Sequence, residues 1–244
     1  MAHVASALLR VVSFLYQVVV SLFLGLALLP ALWLVLAAWR TGSLLLLALS
    51  LGLGYFVSGL TFLLLIVVLK RLLLFRAREG DYPFLSAYTF RWATIGTLVG
   101  LAKVFILNSL LGSPVLNLFY RLMGARIGRN VVINTCNMFD FDLIEIGDDT
   151  MLGGDAVVIG HVGEGGRLHL RPVRIGRRCT VGQSAVVFPG AVMEDGSVLG
   201  ALSLLPKGRR LPAGTRWGGN PLVQIEHPPA SAPPGSPPPG PPHA

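Results

Sequence analysis

Charge is what this sequence has least of. Asp, Glu, Lys and Arg make up 13% of its 244 residues, where a soluble domain carries about 25%; a chain solvated throughout is excluded. The deficit is local. No charge occurs over the 29 residues from Val11 to Trp39, and none over the 29 from Thr41 to Leu69. About 20 apolar residues cross the hydrocarbon of a bilayer, so each run is long enough to span. Pro30 is expected to kink the first helix or end it near a membrane face. The first run is too long for a cleaved signal peptide, whose apolar core is about 7–15 residues.

Acidic residues are also few, 12 against 20 basic, giving a formal net charge of +8. That balance invites a nucleic-acid partner, but the placement of the cations argues against one. Lys70, Arg71, Arg76 and Arg78 directly follow the second run, and only Arg40 lies between the two. Basic residues gather on the cytosolic side of spans. Two crossings then put both termini, Arg10 included, and the rest of the chain in the cytosol. The basic excess reads as topology and contact with anionic lipid, and the expectation is an integral protein of the cytoplasmic membrane. Cysteine is nearly absent: Cys136 and Cys179 make neither a disulfide framework nor a metal motif, and a cytosolic domain keeps both reduced.

What is present falls into four zones. Residues 1–80 form a two-span hairpin with a basic cytosolic edge. Residues 81–124 form an apolar stretch broken by Arg91, Lys103 and Arg121 and by Asn108, Ser109, Ser113, Pro114 and Asn117. Polar groups in hydrocarbon need partners, so an interfacial or re-entrant amphipathic linker fits it better than a third span. Residues 125–226 are Gly-rich and β-branched. Residues 227–244 hold nine prolines in eighteen positions, a composition that cannot build a core and reads as disordered.

The third zone sets the fold. Aliphatic residues recur every six positions at Ile175, Val181, Val187, Met193, Leu199 and Leu205. Ile146, Leu152 and Val158 repeat the pattern earlier, and Ile127, Ile133 and Phe139 begin it, with one extra residue before Ile146. Glycine often follows the aliphatic, as at Gly128, Gly147, Gly153, Gly176, Gly182 and Gly200, where it is expected to serve the corner's backbone angles. Four positions past the aliphatic stands a small residue: Thr150, Ala156, Cys179, Ala185, Ala191, Ser197 or Ser203. A period of six is neither the 3.6 of a helix nor the 2 of a strand. It describes a hexapeptide β-helix, in which each unit is a short strand plus a corner and the aliphatics stack inward. Three units per coil give about four coils, whose ends need cover. Cys179 occupies the small-residue slot and reads as packed.

The passage from Ile175 to Ile225, IGRRCTVGQSAVVFPGAVMEDGSVLGALSLLPKGRRLPAGTRWGGNPLVQI, resembles the C-terminal half of hexapeptide acetyltransferases of the galactoside and maltose acetyltransferase type. The resemblance covers about residues 126–225 and implies a left-handed parallel β-helix, a homotrimer and a CoA thioester donor. DYPFLSAYTFRWA, GSPVLNLFYRLMGARIG and the later GTRWGGNP extend a closer resemblance, to one membrane-plus-β-helix unit from the C-terminal region of ε-poly-lysine synthetase-type peptide synthetases. This implies amine acylation or peptide-bond formation from a carrier-bound thioester as a further possibility.

The sixes break after Val158, in the excursion GHVGEGGRLHLRPV from Gly160 to Val173. In the sugar acetyltransferases a loop here carries the general-base histidine, ahead of an arginine and a Pro-Val-x-Ile-Gly return. His161, Arg167 and Pro172-Val173-Arg174-Ile175-Gly176 match that order. The resemblance thus assigns His161 as the base that takes the acceptor's proton. His169 has no counterpart and reads as structural. Asn134 and one of Asp140 and Asp142 fall where relatives hold the acceptor, although Asn and Asp are also ordinary corner residues. Cys136 beside them reads as packing. On the donor side the resemblance points to Gln183, Ala201, Ser203, Lys207 and Arg216. Two departures weaken a tight CoA site: Val223 replaces a basic residue after GNP, and Thr180 replaces an aromatic. A phosphopantetheinyl carrier protein, lacking the adenine, is less affected by either. No metal is expected, because a γ-type carbonic anhydrase needs three histidines and this domain offers only His161 and His169. A non-catalytic membrane scaffold is the remaining alternative, since a fold does not dictate an activity.

Overall fold

The computed structural model describes residues 2–225; the proline-rich segment 227–244 lies outside them. The two uncharged runs form helices α1 (Ala2–Trp39) and α2 (Leu44–Leu72), packed side by side. Gly42 turns the chain between them with a φ of +68°, and the Ser43 hydroxyl caps α2 by accepting the Leu46 N–H at 3.3 Å. Pro30 sits inside α1, which continues through it. Small residues bring the helices close: a Cβ on Gly54 would lie 3.3 Å from that of Ala31. Two stretches, Val20–Trp39 and Leu44–Leu72, are long and apolar enough to cross a membrane. Their outer faces expose Trp33, Leu44, Leu45 and Leu51, a surface that water does not favour.

Residues 81–124 begin with a strand, Gly80–Pro83, and continue as α3 (Ala87–Phe105), a 3-10 turn (Leu107–Leu110) and α4 (Pro114–Leu122). Ser86 and Ser113 cap the two helices, and Pro114 occupies the first turn of α4, where its missing N–H costs nothing. This layer rests against α2. The Tyr55 hydroxyl donates to the Phe105 carbonyl at 2.9 Å and pairs with Ser109 Oγ at 2.7 Å, and a Cβ on Gly59 would come within 2.4 Å of Ile106.

Residues 126–218 build a prism of three parallel sheets. In the first, Ile127, Ile146, Ile175, Met193 and Leu211 stack on one another; in the second, Ile133, Leu152, Val181, Leu199 and Trp217; in the third, Met138, Val158, Val187 and Leu205. Four coils are complete, and two faces of a fifth extend the repeat past Leu205. The stacked aliphatics beyond the half-buried Ile127 are buried, and the small residues from Thr150 to Ser203 lie inside with them. Val223–Gln224 runs antiparallel to Arg216–Gly218 at the last rung of the second sheet.

Two details depart from the sequence reading. Met138, not Phe139, stacks on Val158. Thr135 accounts for this: its hydroxyl accepts the Asn137 N–H at 3.0 Å while donating to the Ala156 carbonyl at 2.7 Å, which shortens that corner by one residue. The residues saved go into the turn Phe139–Leu143. The glycines after the aliphatics do not serve left-handed corners either. Positive φ falls three positions past most of the stacked aliphatics, at Asn130, Asp149, Asp155, Arg178, Ser184, Gly190, Gly196, Leu202, Gly208 and Gly214, but not past Ile133, Met138 or Val158. The early glycine is required by close approach between coils: a Cβ on Gly182 would meet the Ala201 backbone nitrogen at 2.3 Å.

The excursion is an arm of two antiparallel strands, His161–Glu164 and Arg167–Leu170. The strand Gly80–Pro83 adds to its outer edge, so the chain leaving the hairpin is sewn into the arm.

Candidate active site

The prism places His161 at the first position of the arm, where the third sheet would otherwise turn to the first. The same interruption leaves Asp140 on the turn one coil below. Asp140 adopts a left-handed conformation, φ 60° and ψ 46°, which Asp tolerates better than most residues. Its carboxylate is almost wholly buried, 1% exposed, and every contact it makes is to a donor. Oδ2 accepts from the Gly160 N–H at 3.0 Å and lies 2.6 Å from His161 Nδ1; Oδ1 accepts the Trp92 indole N–H at 2.7 Å. With Asp140 ionised, Nδ1 carries the ring proton and Nε2 keeps a lone pair. The Trp92 ring packs edge-to-face on the imidazole with centroids 4.9 Å apart, and Phe139 flanks it at 6.2 Å. His161 keeps 26% of its side chain exposed. The arrangement is an imidazole oriented by a carboxylate that is shielded from water.

The site opens on a cavity between α3 and the turn, walled by Phe75, Ile95, Val99 and Phe141. Lys70, near the end of α2, closes its floor. The Lys70 ammonium donates to the Met123 carbonyl and lies 2.7 Å from Asp142 Oδ2, which also accepts the Ala77 N–H at 2.8 Å. Both side chains are over nine-tenths buried. Of the two aspartates considered for the acceptor, Asp140 therefore meets the histidine, while Asp142 is engaged in fastening the hairpin to the prism.

The other candidates lie apart from His161 within one chain. Asn134 is exposed at the corner between the second and third sheets, beside Gly112. Gln183 and Ala201 occupy the same corner, higher in the stack. Ser203 Oγ is consumed internally, donating to the Ala201 carbonyl at 3.2 Å and accepting the Gly219 N–H at 2.8 Å. Arg216 is exposed at the last rung. Lys207 lies on the histidine's corner and pairs with Glu164 of the arm, which holds the Glu164 carboxyl below its usual range. Arg167 donates to the Asp81 carbonyl at 2.9 Å, at the arm's far end from His161. His169 joins Asp81 at 2.8 Å, and Arg171 reaches the same oxygen at 2.9 Å; His169 first, then Arg171, hold that carboxyl below its ordinary value.

Cys136 donates to Asn108 Oδ1 at 3.0 Å, and burial pushes its thiol up, away from the thiolate a nucleophile needs. Cys179 is buried against the Glu194 carbonyl. Among the described residues no three His, Cys, Asp or Glu side chains are grouped to hold a metal. Trp92 and Lys70 were not legible as site residues, because both reach the site across sequence gaps of 48 and 72 residues.

A family profile described as the hexapeptide repeat of succinyl-transferase matches residues 172–201. That match covers 30 of the 244 residues and identifies the repeat in this part of the prism. It is 30% identical over 181 residues to a delta-poly-L-ornithine synthetase of Acinetobacter baumannii (strain AB307-0294), a match covering 73% of this chain and 13% of that protein. The chain thus spans a small part of the relative's length. Among solved structures it is similar to a maltose O-acetyltransferase from Clostridium difficile 630, with a TM-score of 0.45 and 16% identity over 61% of this chain and 92% of that one. It is similar also to a galactoside acetyltransferase in complex with coenzyme A, with a TM-score of 0.46 and 17% identity over 61% and 86%.

Proposed function

We propose that this protein is a membrane-anchored acyltransferase that moves an acyl group from a thioester to a hydroxyl or amine, with His161 as general base. The Asp140–His161 contact of 2.6 Å carries the reading. A buried carboxylate with three donors fixes the imidazole's tautomer and stabilises the imidazolium formed when Nε2 takes the acceptor's proton. The acceptor oxygen or nitrogen bonds to the acyl carbon, the carbon–sulfur bond breaks, and the proton held on His161 passes to the leaving thiolate. A thioester already has a good leaving group, so positioning is the larger task. Asp140 and Trp92 orient the base and do not themselves meet the acyl carbon.

In this reading the donor is acyl-CoA, the prism coils left-handed, and copies associate as a homotrimer. The hairpin crosses the cytoplasmic membrane with the prism in the cytosol, and residues 81–124 lie at the interface with lipid. Separation of Gln183 and Ala201 from His161 within one chain is consistent with a donor site completed by a neighbouring copy. The similarity to a poly-L-ornithine synthetase favours one alternative, aminoacyl transfer from a carrier-protein thioester to an amine.

The test is thiol release by membranes holding wild type, His161→Ala or Asp140→Asn, supplied with acetyl-CoA or a loaded carrier protein and a panel of amines and alcohols. His161→Ala is expected to lower turnover by about 10²–10⁴-fold. Turnover with only the carrier selects the alternative donor; unchanged turnover in His161→Ala removes the base.

A further inference from the structure

The contacts between helices and prism fix which way the prism lies. Helices α2 and α3 run antiparallel: Phe62 meets Phe105 with ring centroids 6.1 Å apart, and Phe75 meets Tyr88 at 5.4 Å. Their side of the molecule bonds the prism along its first coil. Trp92 reaches Asp140, Lys103 reaches Asn137, and Asn108 accepts from Cys136 at 3.0 Å. On α2, Lys70 marks one end of that coil, at Asp142, and Tyr55 marks the other, through Ser109 and the Gly112–Ile133 bond. Fifteen residues of helix separate the two, about 22 Å. A coil therefore lies along α2, and the coils stack sideways from the hairpin.

The corner between the second and third sheets is then the edge of the prism nearest the hairpin's turn. It runs from Asn134 through Asp155 and Gln183 to Leu202, with coils about 4.8 Å apart. Past Tyr55, α2 extends only eleven residues toward the turn, about 17 Å. Hydrocarbon is about 30 Å thick. A bilayer crossed by the hairpin thus reaches this edge.

The chemistry of the edge agrees. Its corner stretches hold a single charge, Asp155, whereas the corner between the first and second sheets holds seven, among them Asp148, Arg177 and Asp195. Leu202 stands at a tip of the edge with a φ of +57° and is 77% exposed. A leucine is disfavoured there twice, by the left-handed backbone and by water. The other non-glycine tips of the stack, Asn130, Asp149, Asp155, Arg178 and Ser184, are all polar. The second sheet descends to the same edge with Val132 and Met151 exposed on its outer face, and Val223 and Ile225 exposed at its last rung. The outer face of the first sheet carries Arg126, Glu145, Arg174 and Arg210 instead.

We propose that the prism lies on its flank against the bilayer, with this edge and the second sheet's outer face in contact with lipid. The proposal rests on the reading of the hairpin as a membrane crossing, and its test needs no turnover. The full chain is placed in phosphatidylcholine nanodiscs. Cys136 and Cys179 are buried, so a fluorescent maleimide reads an introduced cysteine. It is attached to Leu202→Cys, Arg178→Cys or Leu51→Cys, one at a time. Leu202 and Arg178 have matching backbones, φ +57° and +52°, on different corners. Leu51, 59% exposed on α2, reports insertion of the hairpin, read with lipid spin-labelled at mid-chain.

Lipid spin-labelled near the headgroup end of its acyl chain is expected to quench the Leu202 dye several times more strongly than the Arg178 dye. Iodide in the water should give the reverse order. Equal quenching at Leu202 and Arg178, with Leu51 quenched, overturns the proposal and leaves the anchor standing. No lipid quenching at any of the three sites removes the anchor, and the proposal with it. Shielding of Leu202 from both quenchers, with energy transfer between labelled copies, assigns the edge to a second copy of the chain and overturns the proposal too.

Discussion

Removing the Lys70 ammonium tests how the hairpin is fastened to the prism. Lys70→Met keeps most of the stem's volume and leaves the Asp142 carboxylate with the Ala77 N–H alone. That carboxylate is 8% exposed and its partner 9%, so solvent replaces little of what is lost. Breaking a buried pair from one side costs about 3–5 kcal/mol, because the remaining charge is uncompensated. Asp142→Leu strands the ammonium and is expected to cost a similar amount. The double variant removes both charges and leaves the Ala77 N–H and the Met123 carbonyl short of a partner. At about 1–3 kcal/mol for a buried group left unsatisfied, it should be less destabilised than the two single variants summed, by several kcal/mol. Equilibrium urea unfolding in mild detergent, followed by circular dichroism and Trp217 fluorescence, measures all four corners of the cycle. A single-variant cost within about 0.5 kcal/mol, the scale of an exposed ion pair, or simple additivity would refute a buried clamp.

Gly182→Ala and Gly200→Ala separate close approach from backbone angle. The first puts a methyl 2.3 Å from the Ala201 nitrogen and should cost about 2–3 kcal/mol or more; the second meets nothing nearer than 3.4 Å and should be close to neutral in the same unfolding assay. Asp81 predicts an acid-sensitive arm. Its folded-state pKa lies below the ordinary 3.8, so its contribution is present above that value and lost as pH falls through the lower one. Amide exchange of Arg167–Leu170 should accelerate in Asp81→Asn at neutral pH; an equal rate in wild type and variant there refutes the tether.

The spacing of six from Ile175 to Leu205 carried the prism, because each unit's signal is local and repeats on itself. It failed where the repeat is paid out unevenly. Thr135 shortens one corner through a hydrogen bond to the next coil, and no count of residues distinguishes Met138 from Phe139 there. The pairing of Gly80–Pro83 with Arg167–Leu170 was hidden for a related reason: a four-residue strand has no periodicity, and its partner lies some ninety positions away. The excursion singled out His161, but Asp140 and Asp142 were offered for contact with an acceptor, and the pairing of Asp140 with that imidazole was not foreseen. What decides between the aspartates is their distant partners, Trp92 for one and Lys70 for the other, and these depend on how α2 and α3 meet the first coil.

A stack of parallel coils has an open end whose backbone can recruit another strand, and repeated recruitment makes a fibre. The reversed strand Val223–Gln224 lies on the last rung of the second sheet. A newcomer in the prism's own direction finds that edge already taken by a strand of opposite polarity. The reversal thus acts as a stop codon for the architecture, ending growth on one of its three faces.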